Sequence, residues 1–354
     1  MMRLTITKRK PFPRSVRMLL PVAAIAVTLI LAAVPILIAG ADLWKAYGAL
    51  FRGAFGTRYN FLETLVKAVP YAFTGLAVAF AFRAKFWNIG AEGQLFAGAI
   101  AATVVGLRLE GVPSFLAIPL VIAAGMAAGG LWAIVPVFLK TKLKVDDVVS
   151  SLLLNYVMLH FMGALLFGPL QQPGSGWPKS AEIAKSAWFP ILIPRSRFHL
   201  GILIAFAAVL VLWFVNEKTV FGYRSRAVGV NARASAFGGI RVDRVLTVTA
   251  LVSGGLAGLA GVSELCAIQY RLLMDISPGY GYSGIVIAML GNLHPVGVLL
   301  SALFFSAVHT GAQTMSRMTG VPSYITEVIQ GTALIVMLVF LLISEYRIRL
   351  ERNK

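Results

Sequence analysis

Apolar stretches of about 20 residues recur along the whole chain, and each is long enough to cross a lipid bilayer as a helix. Inside a bilayer the backbone must satisfy its own hydrogen bonds, which restricts a spanning chain to helices or a closed barrel. Only 13% of the residues are charged and 58% are hydrophobic, which argues against a soluble globular domain. The sequence therefore predicts an all-α polytopic membrane protein.

Hydropathy predicts about ten transmembrane segments, at residues 18–40, 62–82, 89–107, 113–139, 148–169, 199–216, 246–268, 283–291, 295–315 and 322–344. The first follows a basic head and could be a signal peptide, but its apolar core exceeds the roughly 7–15 residues that are typical of one. We interpret it as an uncleaved span. The eighth is too short to cross a bilayer unless it belongs to a broken element.

The distribution of Lys and Arg predicts the orientation. Of the 32 basic residues, 21 fall in segments that face the cytoplasm if the N-terminus is inside. This bias predicts N-in, C-in topology with an even number of crossings, and it explains the net charge of +18 without a nucleic-acid partner. The predicted parts are basic cytoplasmic tails at 1–17 and 345–354, a transmembrane domain at 18–344, and a long cytoplasmic loop at 217–244.

Two polar, Gly-rich stretches, NIGAEGQLFAGAIAA (88–102) and SPGYGYSGIVIAML (277–290), each lead into an apolar helix. A proline-led element follows each of them. Five crossings per half is an odd number, so the two halves would have opposite orientations. Inverted five-segment repeats with Gly-interrupted segments at matching positions are typical of transporters, with the solute pathway at the repeat interface.

The stretch KFWNIGAEGQLFAG (85–98) has two interpretations. In one, Asn88 caps a helix that starts near Gly90, and Glu92 in the first turn responds to the helix dipole. In the other, the stretch is a broken helix that lines the pathway of an uncharged, hydroxyl-rich solute, which needs hydrogen-bonding groups beside an aromatic face. The candidate pathway residues are Trp87, Asn88, Glu92 and Gln94, with Tyr280 and Tyr282 from the other half.

The loop 217–244 contains a predicted short helix, Ala232–Phe237, which Asn231 can cap and Gly238-Gly239 can end. The loop could simply fix the topology through its positive charge. A helix defined at both ends also suits docking into a groove on a soluble partner. The candidate coupling residues are Arg224, Arg226, Gly229, Asn231, Ala234, Gly238 and Gly239.

Four passages resemble the permease subunits of bacterial ABC importers for simple sugars and nucleosides, within the branched-chain amino acid/ribose permease superfamily. They are FWNIGAEGQLFAGA (86–99), VDDVVSSLLLNY (145–156), FGYRSRAVGVNARASAFGGI (221–240) and SPGYGYSGIVIAMLGNLHPVGVLLSALFF (277–305). The resemblance covers about residues 60–340, and its first passage is most similar to the nucleoside branch. The chain departs from the family at Asp146-Asp147, where a single acidic residue is commoner.

The resemblance implies a permease subunit of an ATP-driven importer in the bacterial inner membrane, forming the inward pathway for nucleosides or simple sugars. It implies no catalytic activity, cofactor or metal site in this chain. The implied partners are a cytoplasmic ATP-binding subunit, a second permease chain, identical or paralogous, and an extracytoplasmic substrate-binding protein. The sequence agrees on one point, because no lysine follows a glycine and a phosphate-binding Walker loop is therefore absent.

Two other functions fit parts of the sequence. An ion-coupled secondary transporter of a small polar solute would also explain inverted repeats and the intramembrane carboxylates of Glu92, Glu264 and Glu327. A membrane-integral enzyme would need a nucleophile and base or metal ligands, but His160 and His309 lie outside any HExxH or GxSxG context. The glycine motifs GMAAG (125–129) and GGLAG (254–258) predict close helix packing.

Overall fold

The computed structural model describes residues 2–8, 14–322 and 324–352, and most of them are helical. Within these ranges the elements are β1 (Met2–Lys8), α1 (Arg14–Ile38), α2 (Leu43–Phe55), α3 (Arg58–Arg83), α4 (Ala91–Gly106), α5 (Ser114–Leu143), α6 (Asp147–Leu166), α7 (Leu200–Lys218), α8 (Val220–Val230), α9 (Ala232–Phe237), α10 (Val242–Glu264), α11 (Tyr280–Leu290), α12 (Pro295–Thr319), α13 (Ile325–Glu345) and β2 (Tyr346–Arg352). A 3₁₀ turn, Lys185–Ala187, precedes α7, and a π-helical turn, Leu265–Gln269, continues α10. Each of the ten predicted segments falls on one helix, which confirms the helical class.

Length and apolar composition allow six of the described helices to cross a membrane, namely α3, α5, α6, α7, α10 with its π-helical turn, and α12. Helices α1 and α2 count as a seventh if they form one broken span, bent by 118°. With 16 and 11 residues, α4 and α11 are shorter than the roughly 20 residues that a span needs. The chain is thus a multi-pass membrane protein, while the count of ten spans and the orientation stay predictions. Helix α2 lies where the sequence predicted only a loop.

One compact unit joins the two ends of the chain, Met1–Ala54 and Val308–Lys354. In it α1 packs against α13. Helix α2 approaches the second half of α12 so closely that a Cβ atom on Gly311 would lie 2.3 Å from the carbonyl oxygen of Leu50. Glycine at this position therefore allows two helix backbones to touch.

The strands β1 and β2 of this unit pair antiparallel, with Met2 opposite Arg352. They fall inside the predicted basic tails, 1–17 and 345–354, for which the sequence indicated no regular structure. Within the tails, residues 1, 9–13, 353 and 354 lie outside the described part of the chain. The assignment of both tails to the cytoplasm stays a prediction.

The second unit, Phe55–Ala307, contains the candidate solute site. Helices α3 and α10 form its centre: α10 packs against α3, α4 and α5, and α3 also packs against α11. Most of the apolar stretch of α3 and α10 is buried, whereas α5, α6 and α7 leave most of theirs exposed. Since all these helices are apolar, the exposed faces of the outer three suit contact with lipid.

Glycines hold α5 and α10 together. A Cβ atom on Gly129 would lie 2.3 Å from the Gly254 carbonyl oxygen, and one on Gly258 would lie 2.3 Å from that of Gly125. The two motifs predicted to pack, GMAAG and GGLAG, therefore pack against each other, which confirms the prediction. Helix α4 joins the same contact, because a Cβ atom on Gly98 would lie 2.4 Å from the Gly258 carbonyl oxygen.

Candidate functional site

Residues 84–90, between the end of α3 and the start of α4, are not helical although they are partly buried in the second unit. Phe86 and Asn88 are fully buried, and Lys85 turns the chain with a φ of 57°. The predicted helix start near Gly90 is confirmed, because Gly90 is the N-cap residue of α4. We call residues 84–90 the link. Its backbone N–H and C=O groups cannot pair within a helix, so they need hydrogen-bond partners elsewhere.

A polar stripe on α6 supplies many of those partners. It consists of Asp147, Ser151 and Asn155, which are four residues apart and therefore share one face of the helix. The Asp147 carboxylate accepts a hydrogen bond from the Trp87 backbone N–H at 2.7 Å. One turn further on, the Ser151 hydroxyl oxygen accepts from the Ile89 N–H at 3.1 Å.

Asn155 completes the stripe with bonds to three elements of the site. Its Oδ1 accepts from the Gly93 N–H at 2.8 Å, in the first turn of α4. Its Nδ2 donates to the Ile89 carbonyl at 2.9 Å and lies 3.4 Å from the Tyr282 hydroxyl of α11. A single buried amide thus ties α6 to the link, to α4 and to α11.

Both acids of the unusual Asp146-Asp147 pair have partners. Asp146 is the N-cap of α6, where its side chain accepts from the Val149 N–H at 3.0 Å. Asp147 accepts from Lys140 Nζ at 2.6 Å, and the same Nζ donates to the Lys85 carbonyl at 2.9 Å. The second acid therefore connects the end of α5 to the link.

Asn88 and Gln94 form a buried amide pair. Asn88 Nδ2 donates to Gln94 Oε1 at 2.9 Å, and Gln94 Nε2 donates back to Asn88 Oδ1 at 2.8 Å. Asn88 Nδ2 also donates to Ser253 Oγ, which donates to the Ala77 carbonyl at 2.7 Å and so reaches α3. The prediction that Asn88 caps α4 is wrong, since Gly90 is the N-cap and Asn88 binds its N–H from outside the helix.

Glu92 is buried and joins the N-terminal ends of α4 and α11. Its carboxylate accepts from the Gly281 N–H at 2.5 Å, in the first turn of α11. The backbones meet so closely that a Cβ atom on Gly281 would lie 2.2 Å from the Glu92 nitrogen. One carboxylate therefore lies at the positive ends of both α4 and α11, whereas the sequence predicted an interaction with α4 alone.

The aromatic candidates fall into two groups. Tyr280 is 1% exposed and packs edge-on against Tyr71, with Lys67 Nζ 3.5 Å from its hydroxyl. By contrast, Trp87 is 36% exposed and Tyr282 is 38% exposed. The residues that hold these two, Asp147 and Asn155, are eight positions apart on α6, or about 12 Å along the helix.

The predicted short helix is confirmed as α9, with the predicted bounds Ala232–Phe237, while its role in coupling stays a prediction. Asn231 caps it by accepting from the Ala234 N–H at 3.0 Å, Gly238 is its C-cap, and Gly239 adopts a φ of 83°. A preceding helix, α8, was not predicted. The side chain of Phe237 is 97% exposed at the end of α9.

The other coupling candidates lie on α8. Arg226 pairs with Glu217 at 3.1 Å, while Arg224 is exposed and lines a cavity at the start of α10. Gly229 contacts the end of α3, because a Cβ atom there would lie 2.1 Å from the Arg83 carbonyl oxygen. Any larger residue at Gly229 would therefore disturb the fold. Ala234, on α9, is exposed, so a larger side chain there would extend into open space.

The family described as branched-chain amino acid transport system / permease component matches residues 60–338. The chain belongs to this permease family. The permease resembles the guanosine ABC transporter permease protein NupP of Bacillus subtilis (strain 168), with 35% identity over 95% of this chain and 96% of that protein. It is 34% identical to the glucose ABC transporter permease protein TsgB13 of Haloferax volcanii, over 92% and 87% of the two chains. It is 32% identical to the nucleoside ABC transporter permease protein NupB of Lactococcus lactis subsp. cremoris, over 88% of each. No solved structure matches the permease.

Sequence reasoning missed the permease's α6 stripe and Ser253 as site residues. The signal was present in VDDVVSSLLLNY, where Asp147, Ser151 and Asn155 recur every fourth residue in an apolar helix. Among the described residues no group of three or more His, Cys, Asp or Glu side chains is placed to hold a metal ion.

Proposed function

We propose that this permease is the membrane-spanning subunit of an ATP-driven importer and forms the inward pathway for nucleosides or simple sugars. The observation that carries the proposal is the pair of exposed aromatic residues, Trp87 and Tyr282, held by buried polar groups at the ends of the α6 stripe. Aromatic faces beside fixed hydrogen-bonding groups suit an uncharged solute with a ring and several hydroxyls. The names of the relatives, for guanosine, nucleosides and glucose, all fit such a solute.

The six candidate pathway residues then have two roles. Asn88, Glu92, Gln94 and Tyr280 are almost fully buried and bonded within the chain, so they stabilise the site and do not contact the solute. The solute contacts are assigned to Trp87 and Tyr282. Trp87 lies in the link, directly before the first Gly-rich stretch, and Tyr282 lies in the second stretch, at the start of α11. Each predicted half would thus contribute one aromatic contact.

Reciprocal helix packing supports the proposal of inverted repeats. If α3 and α10 occupy matching places in the two halves, then α4 matches α11. In the structure α3 packs against α11, and α10 packs against α4. A two-fold axis in the membrane plane that exchanged α3 with α10 and α4 with α11 would turn the first contact into the second. The contact between α4 and α11 would then lie on that axis.

Coupling to ATP hydrolysis is assigned to α9, which would dock on a separate cytoplasmic ATP-binding subunit. Its support is the short helix, capped at both ends, with an exposed Phe237 as an apolar anchor. The further partners proposed are a second permease chain and an extracytoplasmic substrate-binding protein, in the inner membrane of a bacterial cell.

Uptake by a strain that lacks this permease and is complemented with variants tests the proposal. The variant Trp87→Ala should reduce the uptake of labelled nucleosides or glucose by about five- to a hundredfold, the usual value of one aromatic stacking contact. The matched control is Trp213→Ala, since Trp213 on α7 is 39% exposed and lies outside the site. Equal uptake by the two variants at equal protein levels would remove Trp87 from the pathway.

The energy source is tested separately by deleting the gene of the ATP-binding subunit. Uptake should stop in the deletion strain and persist in a wild-type strain whose ion gradients are collapsed while its ATP level is maintained. The reverse pattern would favour the ion-coupled secondary transporter. The buried carboxylates do not favour that alternative, because Glu92 binds the α11 N-terminus and Glu264 lies against Tyr280 and Lys67.

A further inference from the structure

A cavity of about 450 Å³ lies at the start of α10, beside α8. It also adjoins the end of the coupling segment, residues 224–239, which contains the candidate coupling residues. Three arginines line it, Arg224 from α8 and Arg241 and Arg244 from the beginning of α10. Its apolar lining includes Phe221, Val245 and Val248. The volume lies within the range of about 300–1,000 Å³ that small-ligand sites occupy.

The three arginines have no anionic partner in the described part of the chain. None of them takes part in the ion pairs found there, and the nearest acid in sequence, Asp243, instead lies 3.8 Å from Lys142. Like charges gathered around one cavity repel one another, so an anion within it would stabilise the arrangement. All three arginines are exposed, and a basic loop that served only to fix topology would not need to place three of them along one cavity.

The start of α10 adds to the positive potential. Arg241 is the N-cap residue and forms no side-chain capping bond, so the first N–H groups of the helix have no capping side chain. The positive end of the helix dipole adds to the charge of Arg241 and Arg244, which are the residue types least suited to this end. A bound anion would offset both.

The apolar side of the cavity is firmly placed. Phe221 stacks on Phe80 of α3 with a centroid distance of 5.9 Å, and Val245 is buried. Helix α10 with its π-helical turn is long and apolar enough to cross a membrane, so its first turn would lie near the boundary between lipid and water. A cavity with a cationic rim and an apolar wall at this depth suits a ligand that is anionic at one end and apolar at the other.

We propose that this cavity binds the headgroup of an anionic phospholipid, with the phosphate on Arg224, Arg241 and Arg244 and the start of an acyl chain against Phe221 and Val248. The lipid would lie directly beside the coupling segment, since Arg224 and Gly239 belong to both. The binding of this lipid is distinct from solute transport and does not depend on the proposed solute.

Native mass spectrometry of the full-length chain in a neutral detergent tests the proposal. Phosphatidylglycerol and phosphatidylcholine with the same acyl chains are added in parallel. Phosphatidylglycerol should bind more tightly to the wild type, and each of Arg224→Gln, Arg241→Gln and Arg244→Gln should weaken it roughly fivefold, or about a hundredfold together. The matched control, K144Q/K218Q/R233Q, removes the same charge from exposed residues outside the cavity and should bind as the wild type does.

Three results would overturn the proposal. The first is equal binding of the two lipids, and the second is an equal loss in the triple variant and its control. The third is competition by glycerol 3-phosphate at the concentration at which the lipid binds, which would indicate a site for a free phosphate. The single variants keep the test decisive if the triple variant fails to fold. A variant that keeps the lipid but no longer co-purifies with the ATP-binding subunit would instead assign the arginines to that protein.

Discussion

Replacing Asn155 with leucine removes the amide that ties α6 to the link while keeping the same number and branching of side-chain heavy atoms. The Gly93 N–H and the Ile89 carbonyl then lose their partners, which lie at 2.8 and 2.9 Å in the structure. Each buried polar group left without a bond costs about 1–3 kcal/mol, and the Tyr282 hydroxyl can turn to water. We therefore expect Asn155→Leu to lower the free energy of unfolding by about 2–6 kcal/mol.

Two measurements check this expectation on the purified full-length chain. Thermal unfolding reports the loss of stability, and hydrogen exchange followed by mass spectrometry reports faster exchange in residues 84–93. Asn155→Asp keeps the acceptor for Gly93 but buries a carboxylate beside the Ile89 carbonyl, so it should destabilise the chain at least as much. Val157→Leu changes an exposed position of the same helix and should have little effect. Wild-type stability and exchange in Asn155→Leu would refute the role of the α6 stripe.

Further predictions concern packing, pH and coupling. Gly129→Val should destabilise the chain by about 1–3 kcal/mol through overpacking against α10, whereas Gly331→Val, with open space around it, should not; melting curves of the two decide. Burial lowers the pKa of His199, just before α7, to about 4, and the Arg197 charge adds to the effect. Its neutral form is therefore favoured in the folded chain, so stability is fully present above pH 6.5 and should fall by up to about 1.4 kcal/mol per pH unit down to pH 4. The variant His199→Asn, which keeps a capping acceptor but does not titrate, should flatten that melting profile, and an unchanged slope would contradict the assignment. Phe237→Ala should abolish uptake coupled to ATP hydrolysis with no change in melting temperature, because the side chain is exposed, and normal transport would remove α9 from coupling.

Features determined by nearby residues could be predicted from the sequence. The apolar stretches predicted the positions of the helices, because an apolar run of about 20 residues can satisfy its own backbone hydrogen bonds in lipid as a helix. The bounds of α9 followed from Asn231 at one end and Gly238-Gly239 at the other, since both act through bonds within a few residues. The packing of GMAAG against GGLAG followed from residue size alone.

Features that depend on partners far away in the sequence could not be predicted from it. Asn88 precedes α4 as a cap would, but its amide finds Gln94 and Ser253, and the latter lies 165 positions away in the sequence. Asn155 lies inside the predicted span 148–169 and Asp147 lies just before it, and neither was predicted to belong to the site. Their partners became evident only when the structure placed α6 along the link.

Glu92 shows why the two sequence interpretations of the link are not alternatives. The capping interpretation is right that the carboxylate faces the positive end of a helix. However, Glu92 also binds the start of a second helix, α11, through Gly281, which is 189 positions away. The interpretation as a broken helix is right that the backbone of the link is held by protein at depth, but Glu92 is buried rather than open to a solute. One carboxylate joins the starts of both short helices, so a displacement of α4 relative to α11 must either carry this bond along or break it. If the two predicted halves move against each other during transport, the bond between Glu92 and Gly281 is one contact through which α4 would act on α11.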